Sequence, residues 1–179
     1  EKAMIAADVA ERIEPGETVL FDSSTTVLAA ARLLAERETP LTAITNSLEI
    51  GSSLSNSRRI EVIVVGGRVR SGSPTLIGVP GSAFLAELHA DLALIGTHAI
   101  TNQVLSETSI EVVAMKQAMI RAARRVSVLV DSSKFQSPAL FTICEASAID
   151  ELVTDEGADE AALAPLREEG VNVRIAQGR

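Results

Sequence analysis

Residues 17–36 read ETVLFDSSTTVLAAARLLAE, in which an apolar run ends at Asp22 and four hydroxyl residues precede an alanine- and leucine-rich segment. The apolar run is typical of a strand and the later segment of a helix. Ser and Thr at such a junction cap the free N–H groups of a helix start. The same N–H groups, together with the helix dipole, also attract a phosphate. FDSSTT is therefore a helix cap, an anion site, or both.

Strand-like and helix-like segments alternate along the rest of the chain. We predict helices near 1–13, 25–37, 47–57, 80–88, 109–124 and 159–168, and strands at 18–22, 41–45, 60–65, 75–78, 91–96, 126–131, 151–155 and 171–176. The strands are short, rich in Val, Ile and Leu, and continuously apolar, as strands buried on both faces are. This pattern predicts a three-layer α/β fold with a mainly parallel, Rossmann-like sheet. The least regular region, 132–155, is a candidate small subdomain.

Composition excludes several classes of function. The 179 residues suit one domain, and the absence of Trp and Tyr argues against a surface that stacks bases. A net charge of −8 argues against direct DNA binding by this chain. One cysteine and two distant histidines argue against a disulfide or a metal site, and we expect no cofactor. No apolar run reaches membrane-spanning length, so a cytoplasmic protein is expected.

The basic residues are unevenly chosen. Arginine outnumbers lysine by 13 to 3, and the three lysines are Lys2, Lys116 and Lys134. Because most basic residues of this chain are arginines, the three lysines are candidates for a special role.

Polar residues follow the predicted strands. In open parallel sheets, ligands bind outside the carboxyl ends of the strands. Here those ends carry small, hydroxyl-bearing or charged residues: Asp22, Ser23, Ser24, Thr25 and Thr26; Thr45, Asn46 and Ser47; Gly66 and Gly67; Gly96, Thr97 and His98; and Asp131 with Lys134. Together they predict a pocket for a small, oxygen-rich ligand.

The charged candidates have alternative interpretations. Lys134 is either a solvated loop lysine or a point charge for a phosphate. Lys116 lies on the apolar face of its predicted helix, so it pairs with Asp22 or Asp131, extends to the surface, or contacts the ligand. His98 is a general base, a hydroxyl contact or an ordinary turn residue.

Several blocks occur in the order seen in one known family. They are IEPGETVLFDSSTT, LTAITNS, VIVVGGRVR, TLIGVPG, ADLALIGTHAI, MKQAMIRAARRVSVLVDSSKF and ELVTD, which are spread over residues 13–155. In these blocks the chain resembles the C-terminal sensor domain of DeoR-type transcriptional repressors, whose fold is that of ribose-5-phosphate isomerase. The resemblance implies a phosphorylated sugar or related metabolite as effector, and a sensor domain spanning 1–179. It also implies a winged helix-turn-helix before Glu1 that contacts operator DNA, and a homo-oligomer, either dimer or tetramer.

The resemblance also assigns roles to residues. It implies phosphate contacts from Ser23, Ser24, Thr25, Thr26 and Lys134. It implies contacts to the sugar from Asp22, Thr45, Asn46, Ser47, Gly66, Gly67, Gly96, Thr97, His98, Lys116 and Asp131.

Two departures from the family pattern stand out. The family usually has glycine where this chain has Ser24, which would be strained if the backbone there needed a positive φ. The family often has an acidic residue after the 91–96 strand, which contacts a hydroxyl of the ligand. Here that segment, THAITNQ, carries no carboxylate, so we expect His98 or Asn102 to make the contact instead. A sugar-phosphate isomerase needs a base at this place. We therefore expect a sensor without enzymatic activity; the alternatives are an isomerase-like enzyme and a subunit with a vestigial pocket.

Overall fold

The continuously apolar strands predicted from the sequence form the centre of the molecule. The computed structural model describes residues 1–177. Its helices are α1 (Lys2–Arg12), α2 (Thr25–Glu36), α3 (Leu48–Leu54), α4 (Val79–Ala86), α5 (Ile110–Ala122) and α6 (Glu160–Glu168). Its strands are β1 (Thr18–Phe21), β2 (Leu41–Thr45), β3 (Ile60–Val64), β4 (Arg68–Val69), β5 (Leu76–Ile77), β6 (Ala90–Ile95), β7 (Ala99–Thr101), β8 (Val104–Glu107), β9 (Ala123–Leu129), β10 (Phe141–Glu145), β11 (Glu151–Thr154) and β12 (Asn172–Ile175).

Seven of these strands form one parallel sheet in the order β12-β11-β9-β6-β1-β2-β3. Every neighbouring pair in it is parallel, and Leu20 of β1 lies between Ile44 of β2 and Ala93 of β6. The chain moves outward from β1 in one direction through β2 and β3, and later in the other direction through β6 and β9. The order therefore reverses between β1 and β6, which is where open sheets of this kind bind ligands.

Side chains on both faces of the sheet are buried. Along β1, Val19 and Phe21 point to a core shared with α1, α2 and α3, whereas Leu20 points to a core shared with α4, α5 and α6. This alternation gives helices on both faces and confirms the predicted three-layer α/β class.

The structure corrects the expectation for the irregular regions. Residues 99–107, which carried no predicted strand, form the hairpin of β7 and β8, and β10 pairs antiparallel with β8. The hairpin turns at Asn102 and Gln103, whose φ angles are 47° and 64°. Residues 132–155 do not form a separate unit, because β10 joins this small sheet whereas β11 joins the large one.

Cys144 lies on β10 and packs against the core beneath α5. Burial, together with the neighbouring charge of Glu145, raises the pKa of its thiol to about 11. Little thiolate therefore exists at neutral pH, which agrees with a packing role rather than a reactive one.

None of the helices in the described part of the chain is both long enough and apolar enough to span a bilayer.

Candidate functional site

A buried ion pair lies where the strand order reverses, between the ends of β1 and β6. Asp22 directly follows β1, and its Oδ2 accepts hydrogen bonds from Gly96 N (3.0 Å) and Lys116 Nζ (2.5 Å). Lys116 Nζ also donates to Gly96 O at 2.7 Å. These bonds link the ends of β1 and β6 to the middle of α5. Lys116 is only 3% exposed and Asp22 is fully buried, so each charge depends on the other.

Of the interpretations left open for Lys116, the pair with Asp22 is the one that the structure contains. A cavity, described below, lies over this pair. Lys116 is one of the residues that line it.

The loop after Asp22 is a helix cap. Ser24 Oγ accepts a hydrogen bond from Val27 N at 3.1 Å, and Ser24 has φ −94° and ψ 154°. Its backbone is therefore extended, and the strain that a positive φ would bring does not arise. Serine fits here without a conformational cost, unlike the expectation from the family's glycine.

Ser24 fits only because residue 96 has no side chain. A Cβ on residue 96 would overlap with Ser24 Cβ and lie 2.6 Å from its Oγ. Both atoms belong to a short side chain that is held by its capping bond, so it cannot move away easily. Gly96 thus allows the loop after β1 to approach the end of β6.

Capping leaves several backbone donors of this loop unused. The N–H groups of Ser23, Thr25 and Thr26 donate to no acceptor among residues 1–177. Thr25 and Thr26 begin α2, so their N–H groups point out of the positive end of the helix dipole. The sequence allowed a cap, an anion site or both. The cap is present, and the geometry of an anion site remains beside it.

A cavity of about 210 Å³ lies over this loop. That is small compared with the roughly 300–1,000 Å³ of pockets for drug-sized ligands, and it suits a small molecule. The cavity brings together nine of the residues predicted from the sequence: Ser23, Ser24, Thr25, Thr26, Gly96, Thr97, His98, Lys116 and Lys134.

Lys134 reaches the cavity from a single helical turn, Ser132–Lys134, after β9. Asp131 caps this turn by accepting from Ser133 N at 3.2 Å. Asp155, directly after β11, accepts from Ser132 N at 2.7 Å and from Gly157 N at 3.1 Å. The Lys134 side chain is half-buried, and its ammonium makes no hydrogen bond or ion pair within residues 1–177.

Burial alone would raise the pKa of Asp155. The hydrogen bonds that its carboxylate accepts from Ser132 and Gly157 outweigh burial, and they hold this pKa below its ordinary value. Asp155 therefore stays ionised at neutral pH and keeps the Lys134 turn in place.

The other predicted site residues do not line the cavity. Thr45 Oγ1 donates to Phe21 O, Asn46 Nδ2 donates to Leu76 O, and Ser47 Oγ caps α3. Gly67 passes so close to the backbone of Ile77 that a Cβ there would lie 2.6 Å from its carbonyl oxygen. These contacts occupy groups that the sequence assigned to the sugar. Seven predicted residues thus lie outside the lining of the cavity: Asp22, Thr45, Asn46, Ser47, Gly66, Gly67 and Asp131.

Some residues that line the cavity were not predicted. Arg70, Ser73 and Thr75 belong to the β4–β5 hairpin, which forms one wall, and Lys2 comes from the start of α1. The unusual choice of lysine in an arginine-rich chain had marked Lys2, although no strand end pointed to it. Arg70 carries no comparable indicator in the sequence.

Glu107 supplies the cavity with a carboxylate, although the segment directly after β6, THAITNQ, carries none. It lies at the end of β8 and lines the cavity, with its Oε2 3.8 Å from Lys116 Nζ. In sequence, Glu107 lies beyond the residues that directly follow the 91–96 strand, so the pattern of strand ends did not indicate it. The β7–β8 hairpin instead brings the carboxylate back to the same place.

The cavity is electropositive although the chain is acidic. Lys2, Arg70, Lys116 and Lys134 line it, whereas Glu107 is its one lining carboxylate among the described residues. Asp22 neutralises Lys116 from below. The remaining positive charge favours an anionic ligand. No group of three or more His, Cys, Asp or Glu side chains within residues 1–177 is placed to hold a metal ion.

Comparison with known proteins identifies the family of the chain. The family model described as the DeoR C terminal sensor domain matches residues 1–156. The HTH-type transcriptional repressor GlcR of Bacillus subtilis is 32% identical over 99% of this chain and 68% of its own length. The glycerol-3-phosphate regulon repressor of Escherichia coli is 32% identical over 87% of this chain and 62% of its own length. The chain thus spans about two thirds of the length of these curated relatives.

Among solved structures, the chain is similar to ribose 5-phosphate isomerase A from Methanocaldococcus jannaschii. The TM-score is 0.55 at 17% identity, over 75% of this chain and 53% of the isomerase. At this identity the similarity concerns the fold alone. The family model and the repressor relatives together show that the chain belongs to the DeoR C-terminal sensor domain family.

Proposed function

We propose that the chain senses a phosphorylated sugar or a related small phosphorylated metabolite. The observation that carries the proposal is the grouping of free N–H groups at Ser23, Thr25 and Thr26 beside the unpaired ammonium of Lys134. A phosphate accepts several hydrogen bonds and pairs with a point charge, so both sets of donors would be used at once. The name of the glycerol-3-phosphate regulon repressor, a relative, supports a small phosphorylated ligand.

The rest of the ligand would meet other residues that line the cavity. Glu107 accepts hydrogen bonds, and His98 either donates or accepts them, so both suit hydroxyl groups. Ser73 and Thr75 of the β4–β5 hairpin add hydroxyls on a further wall.

In the longer protein that we propose, ligand occupancy changes the operator affinity of an attached winged helix-turn-helix. The sensor itself contributes no DNA contact, because it carries a net charge of −8. Self-association as a dimer or tetramer belongs to the same proposal.

The direct test is a thermal-shift screen of the 179-residue chain against phosphorylated sugars and polyols, each paired with its unphosphorylated parent. A ligand at 100 times its Kd should raise the free energy of unfolding by about 2.7 kcal/mol. We expect stabilisation by at least one phosphorylated compound and none by its parent. Stabilisation by parents alone would overturn the phosphate assignment.

The variant Lys134→Ala tests the proposed contact between Lys134 and the phosphate. Loss of one charge-assisted contact costs about 1.5–3 kcal/mol, or roughly ten- to a hundred-fold in Kd. Isothermal titration should show this loss for the phosphorylated ligand, with the parent unaffected. The matched control is Arg58→Ala, which removes an exposed positive charge outside the cavity. A change of less than about twofold in a folded Lys134→Ala variant would make Lys134 a solvated loop residue.

Glu107 supports a second candidate function, that of a sugar-phosphate isomerase. A carboxylate beside a lysine in a phosphate-binding cavity could move a proton between neighbouring carbons of a sugar. The names of the repressor relatives favour the sensor. We therefore expect no isomerisation of ribose 5-phosphate above background. Turnover that Glu107→Gln abolishes would instead establish an enzyme.

A further inference from the structure

Lys2 connects the first helix of the chain to the loop proposed to hold the phosphate. Its Nζ donates to Thr25 Oγ1 at 3.0 Å, and its side chain lines the same cavity as Lys134. The two residues that this bond joins are the first residues of α1 and α2. All three lysines of the chain, Lys2, Lys116 and Lys134, therefore line the same cavity.

Helices α1 and α2 lie side by side and run in the same direction. The Lys2–Thr25 bond joins their starts, and an ion pair of 3.4 Å joins Glu11 to Arg37 at their ends. The buried residues Ile5 and Val9 fix this packing in the core that α1 shares with α2. Both helices therefore direct the positive ends of their dipoles towards the cavity edge.

Lys2 has an electrostatic environment that only an anion would improve. A cation at a helix N-terminus is unfavourable, and here two such ends are adjacent. Neither helix has an acidic residue in its first turn, and Glu1, the N-cap of α1, makes no side-chain capping bond. Within residues 1–177, the only hydrogen bond that Lys2 makes with its side chain is to a neutral hydroxyl, and it forms no ion pair. A neutral or acidic residue at this position would stabilise α1 more than lysine does. The presence of a lysine therefore points to a contact between Lys2 and a ligand.

We propose that Lys2 binds the phosphate of the effector and thereby transmits occupancy of the cavity to the start of α1. This inference rests on the proposed function. With an anion on the amides of residues 23–26, the Lys2 ammonium gains a charged partner next to its present one, Thr25. The first turn of α1 is then held at three groups: its own backbone bonds from Met4 N and Ile5 N to Glu1 O, the Thr25 hydroxyl, and the anion.

The consequence is local order that depends on ligand. First turns of helices open easily because few bonds hold them. A ligand held by Lys2 should slow amide hydrogen exchange in residues 4–6, whereas a ligand held only by Lys134 should not. Any segment attached before Lys2 would experience the same change.

The test uses the whole 179-residue chain with ribose 5-phosphate and inorganic phosphate as probes, together with the best phosphorylated ligand from the thermal-shift screen. Isothermal titration gives Kd, and hydrogen exchange at saturating ligand gives protection of residues 4–6. Five proteins are compared: the unaltered chain, Lys2→Met, Lys2→Arg, Lys134→Ala and the Arg58→Ala control. Methionine keeps the length and apolar stem of lysine, and arginine restores the charge.

We expect Lys2→Met to weaken the phosphorylated ligand by at least about tenfold. It should also remove the ligand-dependent protection of residues 4–6 even at saturation. Lys2→Arg should restore protection, and Lys134→Ala should retain it once enough ligand is added. A merely structural Lys2 would change protection without ligand and leave the ligand-dependent difference intact.

The outcomes separate the two proposals. If the unaltered chain binds a phosphorylated compound and Lys2→Met binds it equally well, with equal protection of α1, the inference about Lys2 is wrong and the sensor proposal stands. If no phosphorylated compound or phosphate binds the unaltered chain, both are overturned.

Discussion

Lys116 is buried, and its ammonium contacts the carboxylate of Asp22. The two side chains share a 2.5 Å contact, and Asp22 Oδ1 is buried with no hydrogen-bond partner among residues 1–177. A pair that leaves one oxygen unsatisfied is not optimised for stability alone. Its position under the cavity instead suggests that it holds the ends of β1 and β6 in the geometry that the site needs.

Removing one member of this pair should therefore be costly. Lys116→Met leaves the Asp22 carboxylate buried without its counter-charge, and we expect a loss of about 3–5 kcal/mol in the free energy of unfolding. The double variant Lys116→Met with Asp22→Asn should recover part of that loss, because an amide oxygen can still accept from Gly96 N. Urea unfolding of the four proteins in this cycle measures both effects. Equal losses in the single and double variants would show that the charge is not the cause.

At the scale of elements, the Lys134 turn depends on a strand that lies far from it in sequence. Asp155 follows β11 and receives N–H groups from both Ser132 and Gly157. Strand β11 pairs with β9, so the sheet itself brings the carboxylate to the turn. The position of Lys134 is thus set by two neighbouring strand ends rather than by its own short turn.

This arrangement predicts a pH dependence. The folded-state pKa of Asp155 is depressed, so its stabilisation is present above the unfolded value of about 3.9 and is lost as pH falls through the folded pKa. Asp155→Asn places an amide N–H against one of the two backbone donors. We expect it to lower the free energy of unfolding by about 1–3 kcal/mol at pH 7.

The difference between Asp155→Asn and the unaltered chain should narrow below about pH 4, as the carboxylate becomes protonated first in the unfolded and then in the folded chain. Urea unfolding at several pH values follows this change. Glu156→Gln, an exposed neighbour, is the matched control and should show no comparable difference. A constant difference from pH 7 to pH 3 would mean that the Asp155 charge does not hold the turn.

The sequence predicted elements well where the pattern was local. Strand 41–45 has the predicted bounds, and the other strands of the large sheet differ by up to three residues at either end. The hairpin of β7 and β8 was missed because its turn uses Asn102 and Gln103 rather than an Asn-Gly pair. Strand β10 pairs with a strand more than thirty residues earlier and is interrupted between Thr142 and Cys144, so no short window of sequence indicates it.

The same distinction holds for the cavity. Its residues at parallel strand ends could be predicted, because all carboxyl ends of such a sheet lie along one edge. Lys2, Arg70 and Glu107 come from a helix start, a hairpin and an antiparallel strand. Their positions depend on how separate elements pack, and the local pattern does not contain that information. In turn, Thr45, Asn46 and Ser47 were assigned to the sugar, whereas Thr45 Oγ1, Asn46 Nδ2 and Ser47 Oγ form hydrogen bonds within the fold.

For the whole molecule, the distribution of charge matters more than its sum. The chain carries −8, yet four basic residues line one small cavity. The outer surface therefore repels polyanions, while the cavity attracts a small anion that can enter it.

We accordingly expect the isolated chain not to retain duplex DNA. An electrophoretic mobility assay with operator-like and random duplexes at about 50 mM salt should show no sequence-dependent shift at micromolar protein, because low salt favours any phosphate contact that exists. Retention of one duplex over the other would contradict this expectation and would place a DNA-reading surface within these 179 residues.

The close approach of Ser24 to Gly96 also limits the order in which the two positions can change during evolution. Gly96→Ala in the present chain would force two Cβ atoms into overlap, whereas after Ser24→Gly the nearest remaining atom, Asp22 Oδ2, is 3.6 Å away, an ordinary contact. Alanine at 96 is therefore compatible with glycine at 24 but not with serine there.

Unfolding measurements should show Gly96→Ala as clearly destabilising alone and nearly neutral on top of Ser24→Gly. Additive losses would remove this constraint. If the dependence holds, serine can have entered position 24 only in a chain that already carried glycine at 96.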